Sequence, residues 1–298
     1  MTSPAARRGQ TQKSYTNLMG YLFVAPAVLF FLAFTAIPVV IAISISLTNY
    51  DVFSQLKFVG LDNYLRAFDD PIFRKALLNI LYFSLMYIPL VMVGSFLIAA
   101  LVNRPTASAK AFRTVYYAPG LTSAVASATV WLWLLNPTYG LVNTLLAAFG
   151  IQGPMWLNHS DTAMISVVII CAWGALGGNM IIYLAAMQNI PPSLYEYARL
   201  EGARWHTVAG RITLPLVAPT SFFVLTMTLI GAFQLFDQAY VLTKGGPANA
   251  TMTPVYLIYG NAFTELQMGY ASAQSVLLFA IILTISLVTQ KVNKNSYF

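Results

Sequence analysis

The sequence predicts an all-α membrane protein with six transmembrane helices, and three observations carry that expectation. Of 298 residues, 58% are hydrophobic and only 8% are charged, with a mean hydropathy of +0.69. A water-soluble domain carries roughly 25% charged residues. Six apolar runs match the about 20 residues that a bilayer crossing requires. Lysine and arginine also gather in alternate connections, which is how membrane proteins fix their orientation.

The first run, 19–47, follows the polar, basic segment MTSPAARRGQTQKSYTN. It is longer than the about 7–15 apolar residues of a cleaved signal, and no small-residue cleavage site follows it. A retained first span is therefore expected, with kinks at Pro26 and Pro38. The second run, 77–102, is entered by DDPIF, where Asp70 fits an N-cap and Pro71 the first helical position. Runs three to six cover 114–135, 162–187, 218–240 and 273–290. In the fourth, Gly174 and Gly178 have the spacing of a close helix approach, although glycine needed only for a local bend fits equally. The outer connections 48–76, 136–161 and 241–272 are each expected to hold a short surface helix. No linker divides the chain, so residues 18–290 are expected to form one domain between a tail at 1–17 and a tail at 291–298.

Six spans place both termini on one side. Arg7, Arg8 and Lys13, then Arg104, Lys110 and Arg113, then Arg199, Arg204 and Arg211, and finally Lys291 and Lys294 all fall on that side. It is expected to be cytoplasmic. The formal charge of +7 thus reports topology, and a nucleic-acid partner is not expected. The single cysteine, Cys171, lies in an apolar run and can build neither a disulfide framework nor a metal cluster.

The connection between runs four and five, PPSLYEYARLEGARWHTVAGRITLPLVAP, is rich in charge and helix formers. Pro191 and Pro192 stop the fourth span. Ser193 and Glu196 have capping-box spacing, so a helix is expected from about Leu194. Ala198 and Gly202 share a small-residue face, and Gly202 is expected to bend or break the helix. A second helix is expected over about 203–212, before Pro215 and Pro219. Such a shaped knob fits docking to another protein. A helix lying on the lipid headgroups fits the residues equally well.

Glu196, Ala198, Gly202, Ile212, Leu214 and Pro215 follow the pattern E-A-A-x3-G-x9-I-x-L-P, with Tyr197 in place of the second alanine. This resembles the EAA loop of bacterial ABC importer permeases. FVGLDNYLRAF (58–68), FRTVYYAPGLTSAVASATVWLWLLNPTYGLVN (112–143) and FQLFDQAYVLTKGGPANAT (233–251) resemble further segments of the carbohydrate permeases, in the same order. The resemblance implies the MetI-like permease fold with cytoplasmic coupling helices, similar to the maltose and glycerol-phosphate permeases. It further implies that the loop 191–217, with Ala203 beside Gly202, seats in an ATPase subunit dimer. The implied partners are a second permease subunit, an extracytoplasmic sugar-binding protein and the surrounding lipid of the bacterial inner membrane. ATP and Mg would reside on the ATPase, and this chain would not itself be an enzyme. In agreement, GxxxxGK[ST] does not occur in these residues.

Polar groups inside spans mark candidate pathway residues because they are costly there. Asp237 is the one carboxylate in the six runs, with Gln234 and Gln238 beside it. Asn179 and Tyr183 are one helical turn apart on the fourth run. Trp131, Trp133 and Asn136 end the third. Aromatic faces and amide or carboxylate groups together suit a sugar, while tryptophan as an interfacial anchor and amides as helix glue fit the same residues. No Lys or Arg lies deep in a run, so an uncharged sugar is expected over glycerol phosphate. An ion-coupled carrier would require titratable groups at mid-membrane and two matching broken halves. A membrane enzyme would require a convergent site, yet His159 and His206 fall on opposite sides.

Overall fold

In a computed structural model, residues 19–295 are described, apart from 52, 54 and 105, with side chains through Lys291. The basic residues Arg7, Arg8 and Lys13, the side chain of Lys294 and the ends of both tails lie outside the described residues. The helices are α1 (Met19–Ser46), α2 (Asp62–Asp69), α3 (Pro71–Val102), α4 (Ala107–Tyr117), α5 (Ala124–Leu134), α6 (Leu141–Ala148), α7 (Ser160–Gln188), α8 (Pro192–Leu200), α9 (Trp205–Leu216), α10 (Ala218–Phe233), α11 (Pro254–Tyr259) and α12 (Met268–Asn295). The expected surface helices in the three outer connections are α2, α6 and α11.

The centre of the bundle is the α3–α7 pair, with α10 packed on α3 and α12, and α1 laid along α12. Lipid removes the hydrophobic drive between helices, so close packing of small residues does the work. Gly94 sits under Leu176, where a β-carbon would collide with the leucine side chain. Its neighbour Ser95 donates a 3.0 Å hydrogen bond to the Leu176 carbonyl, and Ala99 is fully buried. On the other side of α7, Gly177 lies against the backbone of Tyr116 and Tyr117. The close approach therefore falls on Gly177. Gly174 and Gly178, the pair picked out by spacing, face open space.

Two apolar cores divide the bundle along its length. The one toward the expected outer side, the outer core, gathers Ile80, Phe83, Met164, Val167 and Phe233. The one toward the expected cytoplasmic side, the inner core, gathers Ala99, Met180, Tyr183, Met187 and Val217. At the outer end, Asp70 starts α3 as expected, its Oδ1 accepting from the amides of Ile72 and Phe73 at 2.7 and 3.2 Å. Its other oxygen accepts from the Tyr270 hydroxyl at 2.7 Å, and Arg66 lies 4.0 Å over the Tyr270 ring. This latch joins α2, α3 and α12.

Not all of the six expected spans are single long helices. Among the described residues, four helices are long and apolar enough to cross a membrane, and a fifth is obtained if α9 and α10 count as one span bent by 72°. The third run, 114–135, is two helices. Here α4 ends at Tyr117, a 3-10 turn covers Ala118–Leu121, and α5 has only 11 residues. At 1.5 Å per residue α5 reaches about 16 Å, roughly half of the hydrocarbon thickness. Pro119 explains the break, because it brings no amide and crowds the preceding turn. The fifth run is also interrupted: α10 ends at Phe233, and helical backbone resumes at Asp237.

Proline marks two further irregularities. A π-turn over Leu32–Ala36 precedes Pro38, and another over Ala209–Thr213 precedes Pro215. Each absorbs an extra residue where the regular ladder would lose a donor.

Candidate functional site

The two broken runs meet around one cavity of about 490 Å³. One wall is the turn between α4 and α5, with Pro119, Gly120 and Thr122. The opposite wall is the interruption after α10, with Gln234, Asp237 and Gln238. Phe83 and Tyr87 of α3 and Cys171 and Gly174 of α7 close the remaining sides. Interrupted helices are tolerated at membrane depth where they line a cavity or are covered by protein. The interruption also frees backbone polar groups, which adds donors and acceptors to those of the side chains.

Of the pathway residues expected from sequence, the structure brings Gln234, Asp237 and Gln238 together in this cavity. It does not bring the others there. Asn179 turns its amide back onto its own helix, donating to the Ala175 carbonyl at 3.0 Å. Tyr183 is 2% exposed in the inner core and meets Phe96 edge-on at 5.7 Å. Trp133 is 54% exposed. Asn136 closes the turn after α5, its Oδ1 accepting from the amides of Thr138 and Tyr139 at 2.9 and 3.2 Å. Trp131 packs on the outer core, edge-on to Trp173 at 5.5 Å. None of these is among the residues that line the cavity. Sequence reasoning missed Tyr87, Thr122 and Ser127, which also line the cavity. Pro119-Gly120 inside an apolar run was the available signal.

At the end of the bundle where α7 stops, the connection between α7 and α10 folds as two helices with a sharp elbow. Here α8 starts at Pro192 with no side-chain cap. The expected capping box of Ser193 and Glu196 is therefore not formed: the helix begins before Ser193, which sits inside its first turn. The break at Gly202 is formed, with φ of +69°. The Gly202 amide donates to the Arg199 carbonyl at 3.0 Å, and the Ala203 amide donates to the Ala198 carbonyl at 2.9 Å. This is the Schellman motif, in which a left-handed residue lets two amides satisfy the last carbonyls of a helix. It accounts for the glycine: Gly202 supplies the left-handed step, and the backbone carbonyl of Ala198 is the acceptor three positions from the cap.

The elbow encloses a cleft of about 560 Å³ lined by Tyr195, Glu196, Arg199, Ala203 and Trp205, with Asn103 of the α3–α4 connection across from them. Tyr195 and Thr213 are joined through their hydroxyls at 3.3 Å, which holds α8 to α9. Ala198 is buried, Ile212 half-buried, and Leu214 and Pro215 are exposed on the approach to α10. Tyr197, Leu200 and Trp205 project outward with 67%, 84% and 75% exposure.

This elbow belongs to a chain whose residues 67–294 match the family described as "Binding-protein-dependent transport system inner membrane component". The chain belongs to that family. The lactose transport system permease protein LacF of Rhizobium radiobacter is 34% identical over 282 residues, covering 92% of this chain and 93% of the relative. The sn-glycerol-3-phosphate transport system permease protein UgpA of Escherichia coli O6:K15:H31 is 35% identical over 275 residues, covering 90% and 91%. Among solved structures, a chain of a bacterial alginate ABC transporter in complex with an alginate pentasaccharide-bound periplasmic protein superposes with a TM-score of 0.85. It is 24% identical, with 95% of this permease and 96% of that chain covered. The inner-membrane permease fold expected from the resemblance is thus the fold of this chain. Of its helices, only α1 and α2 begin before the matched segment.

Proposed function

We propose that this permease forms half of the translocation pathway of a bacterial ABC importer for an uncharged sugar, in the inner membrane with both termini cytoplasmic. A second permease subunit completes the pathway, and an extracytoplasmic sugar-binding protein delivers substrate. ATP and Mg are held by an ATPase dimer, which seats on the loop 191–217 through Glu196, Ala198, Gly202, Ala203, Ile212, Leu214 and Pro215. The observation that carries this reading is the cavity at the two helix breaks. Its amide groups on Gln234 and Gln238 and the single carboxylate of Asp237 suit sugar hydroxyls, and Tyr87 and Phe236 bring aromatic rings for C–H surfaces.

The likeness to UgpA gives the second reading, an importer of glycerol phosphate. The cavity favours the first. No Lys or Arg is among its lining residues, whereas a phosphate is best held by such cations. An anion would instead meet the Asp237 carboxylate. The decisive experiment reconstitutes the complete transporter with its receptor in liposomes. Neutral sugars, and not glycerol phosphate, are expected to stimulate ATP hydrolysis and uptake. Stimulation by glycerol phosphate alone would reverse the choice, and uptake without any ATPase subunit would refute the importer.

A further inference from the structure

Five aromatic rings continue the cavity wall outward. Phe236 lines the cavity itself. It stacks on Tyr240 with centroids 5.5 Å apart and planes 22° apart, and it tilts against Tyr259 at 5.2 Å. Tyr240 meets both Tyr256 and Tyr259 at 5.8 Å, and Tyr259 meets Phe263 at 5.2 Å. The layer is not a closed core: Tyr240, Tyr259 and Phe263 are 43%, 37% and 63% exposed.

The backbone beneath the rings is held in place. Thr253 donates a 2.8 Å hydrogen bond to the Leu235 carbonyl and accepts from the Tyr256 amide, so it ties α11 to the interruption after α10. Asn261 donates to Gln274 of α12 at 2.7 Å. Ordered, exposed rings of this kind are costly to leave facing water alone. Lipid is a poor match for them. The lipid-type surface of this chain is seen on α1, whose exposed side chains are dominated by Val, Leu, Ile and Phe. Here three of the five rings carry hydroxyls, and the layer starts at a residue flanked by Leu235 and Asp237 of the cavity wall. Single interfacial tyrosines anchor spans, but they do not form a stack that shares a ring with a polar cavity.

We propose that this layer is an outer carbohydrate subsite, so that the substrate is an oligosaccharide of at least two rings. One ring occupies the cavity beside Gln234 and Asp237, and the next lays its C–H face on Tyr240 and Tyr259. The inference rests on the sugar-permease reading and adds the length of the sugar.

The test uses the complete transporter and its receptor in liposomes, with a panel of neutral sugars each offered as monosaccharide and as its di- and trisaccharide. The variant Tyr240→Ala/Tyr259→Ala is compared with Tyr240→Phe/Tyr259→Phe, which keeps the rings. Removal of the rings is expected to raise the half-saturating concentration of the oligosaccharides about tenfold while changing that of the monosaccharide less than twofold. The phenylalanine variant is expected to stay close to wild type. Equal loss for both lengths, or no loss for either, overturns the subsite. So does loss of receptor docking or of permease pairing in the alanine variant, because the layer would then be a protein interface. A wild-type transporter that moves no neutral sugar overturns the sugar reading and the subsite together. One that moves sugars with an unaltered length preference in the variant overturns the subsite alone.

Discussion

Asp237 sits one residue past Phe236, where the chain regains helical backbone after the break. A carboxylate in a cavity contributes only through the hydroxyls it receives, and hydrogen bonds to a charged group are worth about 1.5–3 kcal/mol. Asp237→Asn is therefore expected to raise the half-saturating sugar concentration by roughly 10- to 100-fold, with membrane insertion unchanged, as read by uptake in liposomes. An Asn179→Ala variant, whose side chain serves its own helix, is expected to leave that value within twofold. Gly202 gives a second test at the same scale. Nothing lies within 4 Å of where its β-carbon would be, but its φ is +69°. A bulky side chain there meets backbone strain of about 1–2 kcal/mol and projects away from this chain toward whatever docks on the elbow. Gly202→Leu is expected to lower coupled transport more than tenfold with the protein still inserted. Gly202→Asn, which tolerates the left-handed region, is expected to keep most of it. Equal transport in both variants would remove the elbow from the coupling path.

Helix contacts, in contrast, are decided by Gly177. A β-carbon there runs into the Tyr116 carbonyl, and backbone cannot move aside as a flexible side chain can. Gly177→Leu is expected to separate the α4 segment from α7 and to cost at least the about 1–3 kcal/mol typical of overpacking, seen as a lower melting temperature in detergent. Gly174→Ala and Gly178→Ala face open space and are expected to stay within about 0.5 kcal/mol of wild type. This contrast shows what hydropathy and spacing can and cannot carry. All three glycines lie in one apolar helix, and only the neighbour across the interface distinguishes Gly177 from Gly178. The long helices were legible because unbroken apolar runs leave the backbone no alternative. The broken third and fifth runs were not, because hydropathy averages over Pro119 and over Gln234. The Asp70 cap was legible from local sequence alone. The start of α8 was not, because Pro192 opens the helix one residue before the Ser193 signal.

For the molecule as a whole, the cavity lies midway along α3 and α7 and the elbow at the end where α7 stops, and orientation decides which side of the membrane the elbow faces. The single cysteine makes this measurable. In a Cys171→Ser background, Leu200→Cys is expected to react with an impermeant thiol reagent only from the cytoplasmic side, and Leu61→Cys only from the outside. The opposite pattern would invert the topology argued from lysine and arginine. Gln234, Asp237 and Gln238 of the cavity wall were legible because polar side chains stand out against an apolar run. The aromatic layer was not, because its rings come from two stretches, 236–240 and 256–263, brought together only by the turn between them. The bend of 72° at Val217 has one more consequence. The Val217 hinge, which joins α9 of the elbow to α10, and the polar wall at Gln234 are opposite ends of one rod, α10, whose 16 residues span about 24 Å. A crank so built turns a tilt of only about 5° at the hinge into a sweep of about 2 Å at the far tip, enough to break and remake hydrogen bonds to a passenger without unwinding a single turn.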